Sequence, residues 1–327
     1  MTAAANSNKT YDVRTIREDL QDAMISISPT ETPFMSAIGT KSASNTFVEW
    51  PVVALAAPSS SNRVIEGEDS PGNDAPTNAN RLGNYTQISD KVVEVSSTAN
   101  AVNGAADAQT LAKQIAFKLK ELKRDMETMV LDNVAANAGD SSTARAAAGL
   151  PAFLRTNVSR GTGSPVGANG TLSGSTNGFP NAAATDAGTT RELTEALLRT
   201  VISSCWTNGA EPSIIMVGAG AKQKISQSFT GSATKYRDIS DKKIVAAVDL
   251  YVSDFGELQV VPNRWQRARD VFVLDPSYAR MAYLQRTKQE ELAKTGHSER
   301  RLISVEYSLQ VDTEAAHGVI ADINPAL

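Results

Sequence analysis

The reading of the fold turns on three stretches near the C-terminus: GELQVVPNRW (256–265), VFVLDPSYARMAYLQ (271–285) and EELAKTGHSERRLISVEYSLQVDTEAAHGVI (290–320). Short β-branched runs alternate there with tight, polar punctuation, as in consecutive strands. Val260 and Val261 stop at Pro262, the run from Val271 to Leu274 stops at Asp275-Pro276, and residues 302–311 alternate as one long strand. No side chains among them combine as acid, base and nucleophile. Upstream, SIIMVG (213–218) reads as a buried strand, 221–229 as a short helix and 243–252 as a further strand. A strand–helix–strand middle joined to a strand-rich end predicts a mixed α+β domain.

The clearest helix is predicted over 107–134. Leu111, Ile115, Leu119, Leu122 and Met126, then Met129 or Val130, recur at three and four, while Lys113, Lys120, Lys123, Arg124 and Glu127 fall on the other faces. Such a helix is roughly 40 Å long at the α-helical rise. A coiled coil is the rival reading, weakened because the apolar stripe ends after about three heptads. A second helix, capped by Thr189 or Thr190, would bury Leu193, Leu197, Leu198 and Ile202. Between the two helices, residues 139–188 hold nine of the 21 glycines and few large apolar groups. That composition predicts a loop or an insertion ordered by a partner.

At the N-terminal end, residues 1–10 read as a mobile arm, and Thr15 starts a helix with Ile16, Leu20 and Met24 on one face. The segment ISPTETPFMSAIG (27–39) carries two prolines that forbid a continuous helix and reads as a helix leading into a core-capping loop. TFVEWPVVALA (46–56) is a strand whose Pro51 marks an edge, and KVVEVSSTA begins another at Lys91. The residues between them are rich in Ser, Asn, Pro, Gly and Asp. A loop of that length has a job or is disordered; two strands with a long polar tip predict a projecting arm. Arg63, Glu66, Glu68, Asp69 and Arg81 are placed near its tip, where they are either solvated or paired with charges on a neighbour. Exposed pairs contribute only about 0–1 kcal/mol each, so their value would be register rather than strength.

Composition excludes several classes. The 327 residues are 41% hydrophobic, with aromatics at 6%, so aliphatic side chains must fill the core. A net charge of −4 argues against tight nucleic-acid binding by phosphate neutralisation. One cysteine, Cys205, excludes an intrachain disulfide, and two histidines argue against a zinc site. No secretory h-region or membrane-length apolar run is present, so a soluble protein of a reducing compartment without cofactor or metal is expected. VGAGAKQK (217–224) follows a strand and opens a helix but fits neither phosphate-loop fingerprint. Its glycines are read as allowing a turn and close packing. Cys205 with His297 or His317 is a poor nucleophile–base candidate, because Cys205 ends an apolar helix face. Glu290 and Glu291 are read as solvated.

The VPNR and LDP turns, the run EELAKTG…R…VEY…HG, and SPT…TPF…IG near the N-terminus resemble the tailed-bacteriophage major capsid proteins of Hong Kong 97-like fold. The resemblance implies an N-terminal arm (1–45), an extended loop (46–100), a spine helix (101–138), the glycine-rich insertion (139–188), an axial domain (189–265) and returning strands (266–327). It also implies self-assembly into hexamers and pentamers around double-stranded DNA, in a virion built in the bacterial host cytoplasm. Scaffold, portal and decoration proteins would be its partners, with no membrane, no enzymatic activity and function in its surfaces. Some proteins of this fold join an extended-loop lysine to a neighbour's asparagine; residues 47–90 contain no lysine, so the resemblance implies non-covalent contacts. An encapsulin-like compartment or another virion component, of the tail or decoration type, is the alternative.

Overall fold

Two sheets and one long helix carry the architecture of the computed structural model, which describes residues 29–67, 69, 75–102, 110–174, 176–228, 250–294 and 296–325. The helix expected from Thr15 and most of the strand expected over 243–252 lie outside these residues. The first sheet has the order β1 (Gly39–Ser42), β12 (Ala279–Glu291), β13 (Ser298–Val311), β4 (Gln87–Ser96). β1 runs parallel to β12, whereas β12, β13 and β4 are antiparallel. β13 and β4 keep an unbroken register from Tyr307 opposite Gln87 to Ser298 opposite Ser96. Alternation along β13 turns Ile303, Val305, Tyr307, Leu309 and Val311 to one buried face.

After the short helix α2 (Ser97–Ala101), helix α3 (Leu111–Leu131) packs on that sheet through β4 and β13. It is 21 residues long, shorter than the sequence pattern suggests, or about 32 Å. Burial is graded along it. Leu122, Met126, Val130 and Leu131 are at most 2% exposed, whereas Leu111, Ile115 and Leu119 are half-buried. Glu127, expected on a solvated face, is fully buried.

The second sheet is six-stranded, in the order β5 (Asn157–Ser159), β14 (Gly318–Ile320), β11 (Val271–Leu274), β8 (Ile214–Val217), β10 (Gly256–Pro262), β9 (Leu250–Ser253). β8 and β10 are parallel, as are β14 and β5, and the other pairs are antiparallel. β11 is buried on both faces, which explains its unbroken apolar run. Val271 and Val273 join the core under α5 (Glu195–Thr207) and α6 (Ala219–Ser228), while Phe272 and Leu274 join the core shared with α3 and the first sheet. The two halves therefore meet across this sheet, because Met216 of β8 and Val319 of β14 join the same core as Phe272, and Ile215 and Ile320 the same core as Val271. The cap of α5 is Thr194, not Thr189 or Thr190; its hydroxyl accepts from the Leu197 N–H.

Residues 139–188 also differ from the expected loop. They contribute α4 (Leu150–Phe153), β5 and the short pair β6 (Thr171–Leu172) and β7 (Pro180–Ala182). Their few apolar groups are spent in the main core: Leu150, Ala152, Phe153 and Leu154 are at most 2% exposed. A segment poor in apolar residues thus packs on a core that others build.

The gradient along α3 sets an expectation. Leu122→Asp places a carboxylate where no water reaches, at a cost of several kcal/mol, and should yield insoluble or unfolded chain. Leu119→Asp, at a half-buried site, should fold with a lowered melting temperature. Equal melting curves for the two variants would contradict the assigned burial.

Candidate assembly surfaces

The sequence motifs meet at one buried carboxylate. Helix α1 (Pro33–Ala37) begins with Pro33, which has no N–H, and its N-cap Thr32 makes no side-chain cap. The next two free donors, the N–H groups of Phe34 and Met35, instead donate to Glu127 Oε1 at 2.7 Å and Oε2 at 2.9 Å. Asn263, in the VPNR turn, donates its Nδ2 to the same Oε1 at 2.7 Å. Its neighbour Trp265 donates Nε1 to the Glu31 carbonyl at 2.7 Å, and Arg124 lies over the indole. Burial raises the Glu127 carboxyl pKa, opposed by these donors. One side chain of α3 thereby caps α1 and holds the turn after β10.

A second seam is ionic. Arg267 pairs with Asp186 and, at 3.1 Å, with Asp270; Arg269 pairs with Asp322 at 2.7 Å. Asp322 is fully buried at φ 63°, and accepts from the Gly161 and Ala187 N–H groups, both at 2.9 Å. Burial pushes the Asp270 carboxyl up to about 6, with Arg267 pulling the other way.

The projection is a ribbon of β2 (Phe47–Val52) and β3 (Asn80–Tyr85). The expected second strand is therefore displaced: the run containing Lys91 is β4 of the first sheet, and Lys91 pairs with Asp125 of α3 at 2.6 Å. The ribbon base is anchored. Phe47, Tyr85 and Phe179 form an aromatic cluster, and β3 is bridged to Gly178. Asn84, wholly buried, donates to the Leu309 carbonyl at 2.8 Å and accepts from the Ala148 N–H at 2.8 Å.

Beyond the base the described residues are open to solvent. Arg63, Glu66 and Asp69 are exposed, and Glu68 lies outside the described residues. Arg81 is not at the tip: it stands in β3 opposite Pro51 and pairs with Glu49 of its own ribbon. The tip is also less polar than its composition suggests, with Leu55 84%, Val64 70% and Ile65 76% exposed.

The chemical candidates resolve into packing. Cys205 is fully buried, and burial pushes its thiol up to about 12. His317 is buried in the turn before β14, its Nδ1 accepting from the Asp275 N–H of the LDP turn at 3.4 Å. Burial holds its imidazole down near a pKa of about 4. A Cβ on Gly220, in the glycine-rich run, would lie 2.1 Å from the Pro325 carbonyl oxygen, so that glycine permits close packing of the C-terminal segment. Among the described residues no group of three or more His, Cys, Asp or Glu is placed to hold a metal, and no helix is long and apolar enough to cross a membrane.

A long helix on a mainly antiparallel sheet, a second mixed sheet and an anchored ribbon define the Hong Kong 97-like class of phage capsid proteins. The cyanophage A-1(L) capsid asymmetric unit superposes with a TM-score of 0.65 at 12% identity, covering 96% of this chain and 98% of that one. The holo-SrpI encapsulin complex of Synechococcus elongatus shares the fold, with a TM-score of 0.59 at 10% identity over 98% and 97%. The SU10 major capsid protein family matches residues 3–324, and the chain belongs to that family. The major capsid protein of Escherichia phage Phieco32 is 28% identical over 323 residues, 90% of either chain. The chain is thus a phage major capsid protein, of a structural rather than an enzyme family.

Glu127→Ala leaves two buried donors and one part-buried donor without an acceptor and should lower the unfolding free energy by on the order of 3 kcal/mol, measured in denaturant. Asp270 binds its proton more tightly folded than unfolded, so its contribution to stability is largest below pH ~4 and is lost as pH rises to ~6. The difference between wild type and Asp270→Asn in unfolding free energy should change across that window and be flat above it.

Proposed function

We propose that this chain assembles into hexamers and pentamers of an icosahedral shell that encloses the double-stranded DNA of a tailed phage. The observation that carries the reading is the projection: an anchored ribbon ends in a long tip whose aliphatic and charged side chains face solvent. Exposed apolar groups on an extension imply a partner surface. In this reading residues 189–265, with α5, α6, β8, β9 and β10, correspond to the axial domain, whose sheet is completed by β5 and the returning strands β11 and β14, and α3 with the first sheet corresponds to the peripheral domain. Residues 1–45 act as the N-terminal arm and the ribbon as the extended loop over an adjacent subunit. Contacts that are individually modest become durable when symmetry closes them into a ring.

The contacts are non-covalent. Lys41 and Lys91 flank the projection but are engaged within the chain, with Gln310 and Asp125 respectively. An arginine cannot replace a lysine nucleophile, because its guanidinium stays protonated. Scaffold, portal and decoration proteins are the expected partners, and the acidic balance suits DNA that is enclosed rather than gripped. Synthesis takes place in the host cytoplasm.

Sedimentation of the recombinant chain, alone or with its scaffold, should show shells, tubes or discrete hexamers and pentamers; a persistent monomer under both conditions contradicts the reading. Boiling mature particles in detergent should release a single band near 34.7 kDa if no end is trimmed. A ladder of covalent multimers would show that the shell is welded.

A further inference from the structure

One arginine serves two carboxylates at the ionic seam. Arg267, in the turn before β11, reaches Asp186 of the 139–188 segment with one Nη and Asp270 of its own turn, at 3.1 Å, with the other. Asp186 is also held by Arg269 at 3.5 Å, and Arg269 donates to the Ala187 carbonyl at 2.9 Å. Asp322, in the chain after β14, accepts from Arg269 and from the Gly161 and Ala187 N–H groups. Residues 161 and 186–187 are thereby tied to the second sheet through this network. The network is not saturated. Nine buried side-chain polar atoms have no hydrogen-bond partner among the described residues, and five of them lie here: Asp270 Oδ1, Asp186 Oδ1, Gln266 Oε1, Arg160 Nη2 and Arg269 Nε. The Asp270 side chain is 1% exposed, so its free oxygen is shut off from water. The charges that act on it are Arg267 from its own turn, Asp186 and Arg160 from the 139–188 segment, and Asp322 from the C-terminal segment. Arg269, and Asp132 at the C-cap of α3, border the same network. Burial outweighs the neighbouring charges and pushes the Asp270 carboxyl up to about 6.

We propose that Asp270 is a proton-operated latch on the 139–188 segment. With Asp270 protonated, Arg267 is left to Asp186, and the segment is closed on the second sheet. With Asp270 ionised, two carboxylates compete for one guanidinium and repel each other. The tie to Asp186 then weakens, and residues 161–168 and 184–188 open locally. The free oxygen of Asp270 acts in the same direction. Protonated, it becomes a donor in a seam where Asp186 Oδ1 and Gln266 Oε1 are unengaged acceptors; ionised, it is one more buried acceptor without a donor. A group that holds its proton more tightly in the closed state stabilises that state at low pH, and the stabilisation is lost as pH rises to ~6. The latch is a property of the single chain and does not rest on the shell reading.

Hydrogen exchange of the full chain tests the latch, read by mass spectrometry and corrected for the intrinsic pH dependence of exchange. The Gly161 and Ala187 amides, which donate to Asp322, and those paired between Ala168 and Thr185 report the segment. The amides between β13 and β4 report the body. From pH ~5 to pH ~7 the segment amides should lose on the order of tenfold in protection while the body amides do not change. Asp270→Asn, neutral throughout, should remove the step and leave the segment protected at both pH values. A flat wild-type profile, a step that survives in Asp270→Asn, or a loss shared by the body amides would overturn the latch. Should Asp270→Asn fail to fold, Asp186→Asn decides the matter. With the contested tie gone, its segment amides should exchange fast at both pH values, and a remaining step of about tenfold would overturn the proposal.

Discussion

The structure depends on the acceptor capacity of Glu127. A carboxylate removed from water is costly unless its lone pairs are used, and here three donors from two distant segments use them. Two of those donors are the free N–H groups of α1, and the third is the amide in the turn after β10. Removing the carboxylate would therefore uncap one element and release another. Apolar packing alone permits small slides between layers; directional bonds to a single buried group do not. The contact fixes α1, the long helix and the second sheet relative to one another, and hence the direction in which the chain leaves α1 for β1 and the ribbon.

Other buried polar groups follow the same logic at other seams. Asn84 ties the ribbon base to β13 and to the 145–148 segment, while Asn157 donates to the Ala315 and His317 carbonyls and accepts from Ser204 and Asn208. The Arg267, Arg269, Asp270 and Asp322 network joins the turn before β11 to the chain that follows β14. Each bond crosses a boundary that hydrophobic contact would leave adjustable. The outcome is a stiff body with one long solvent-exposed extension. That arrangement suits the assembly proposed above.

The strand-rich end was legible because punctuation coincides with geometry. Asp275 caps the 3-10 turn after β11, and Pro262 closes β10. The apolar stripe of α3 was legible for the same reason, since period and burial agree through Leu122 and Met126. Glu127 was not, because periodicity places it among charges and nothing local reveals a donor 93 residues away. Residues 139–188 misled through composition: a segment that cannot build a core can still be absorbed into one, as Leu150 and Phe153 are. The ribbon was misassigned because Lys91 opens a stronger β-branched run than 80–85, and pairing partners are not written in propensity. Arg81 was drawn to the tip by sequence proximity, although register places it at Pro51. The charged residues of the projection were legible only as solvated or paired, since exposure without an internal partner, as at Glu66 and Asp69, is visible only once the internal pairs are known.

In the proposed shell a body pinned at Glu127 offers its projection to another copy of itself. Cryo-electron microscopy of particles formed by the chain tests this most directly. The expected particles are closed shells of hexamers and pentamers, with the Glu127 contacts to Phe34, Met35 and Asn263 intact in every copy and each projection lying on an adjacent subunit. Particles in which the projection folds back on its own subunit, or in which Glu127 is released while the shell stays ordered, would contradict it.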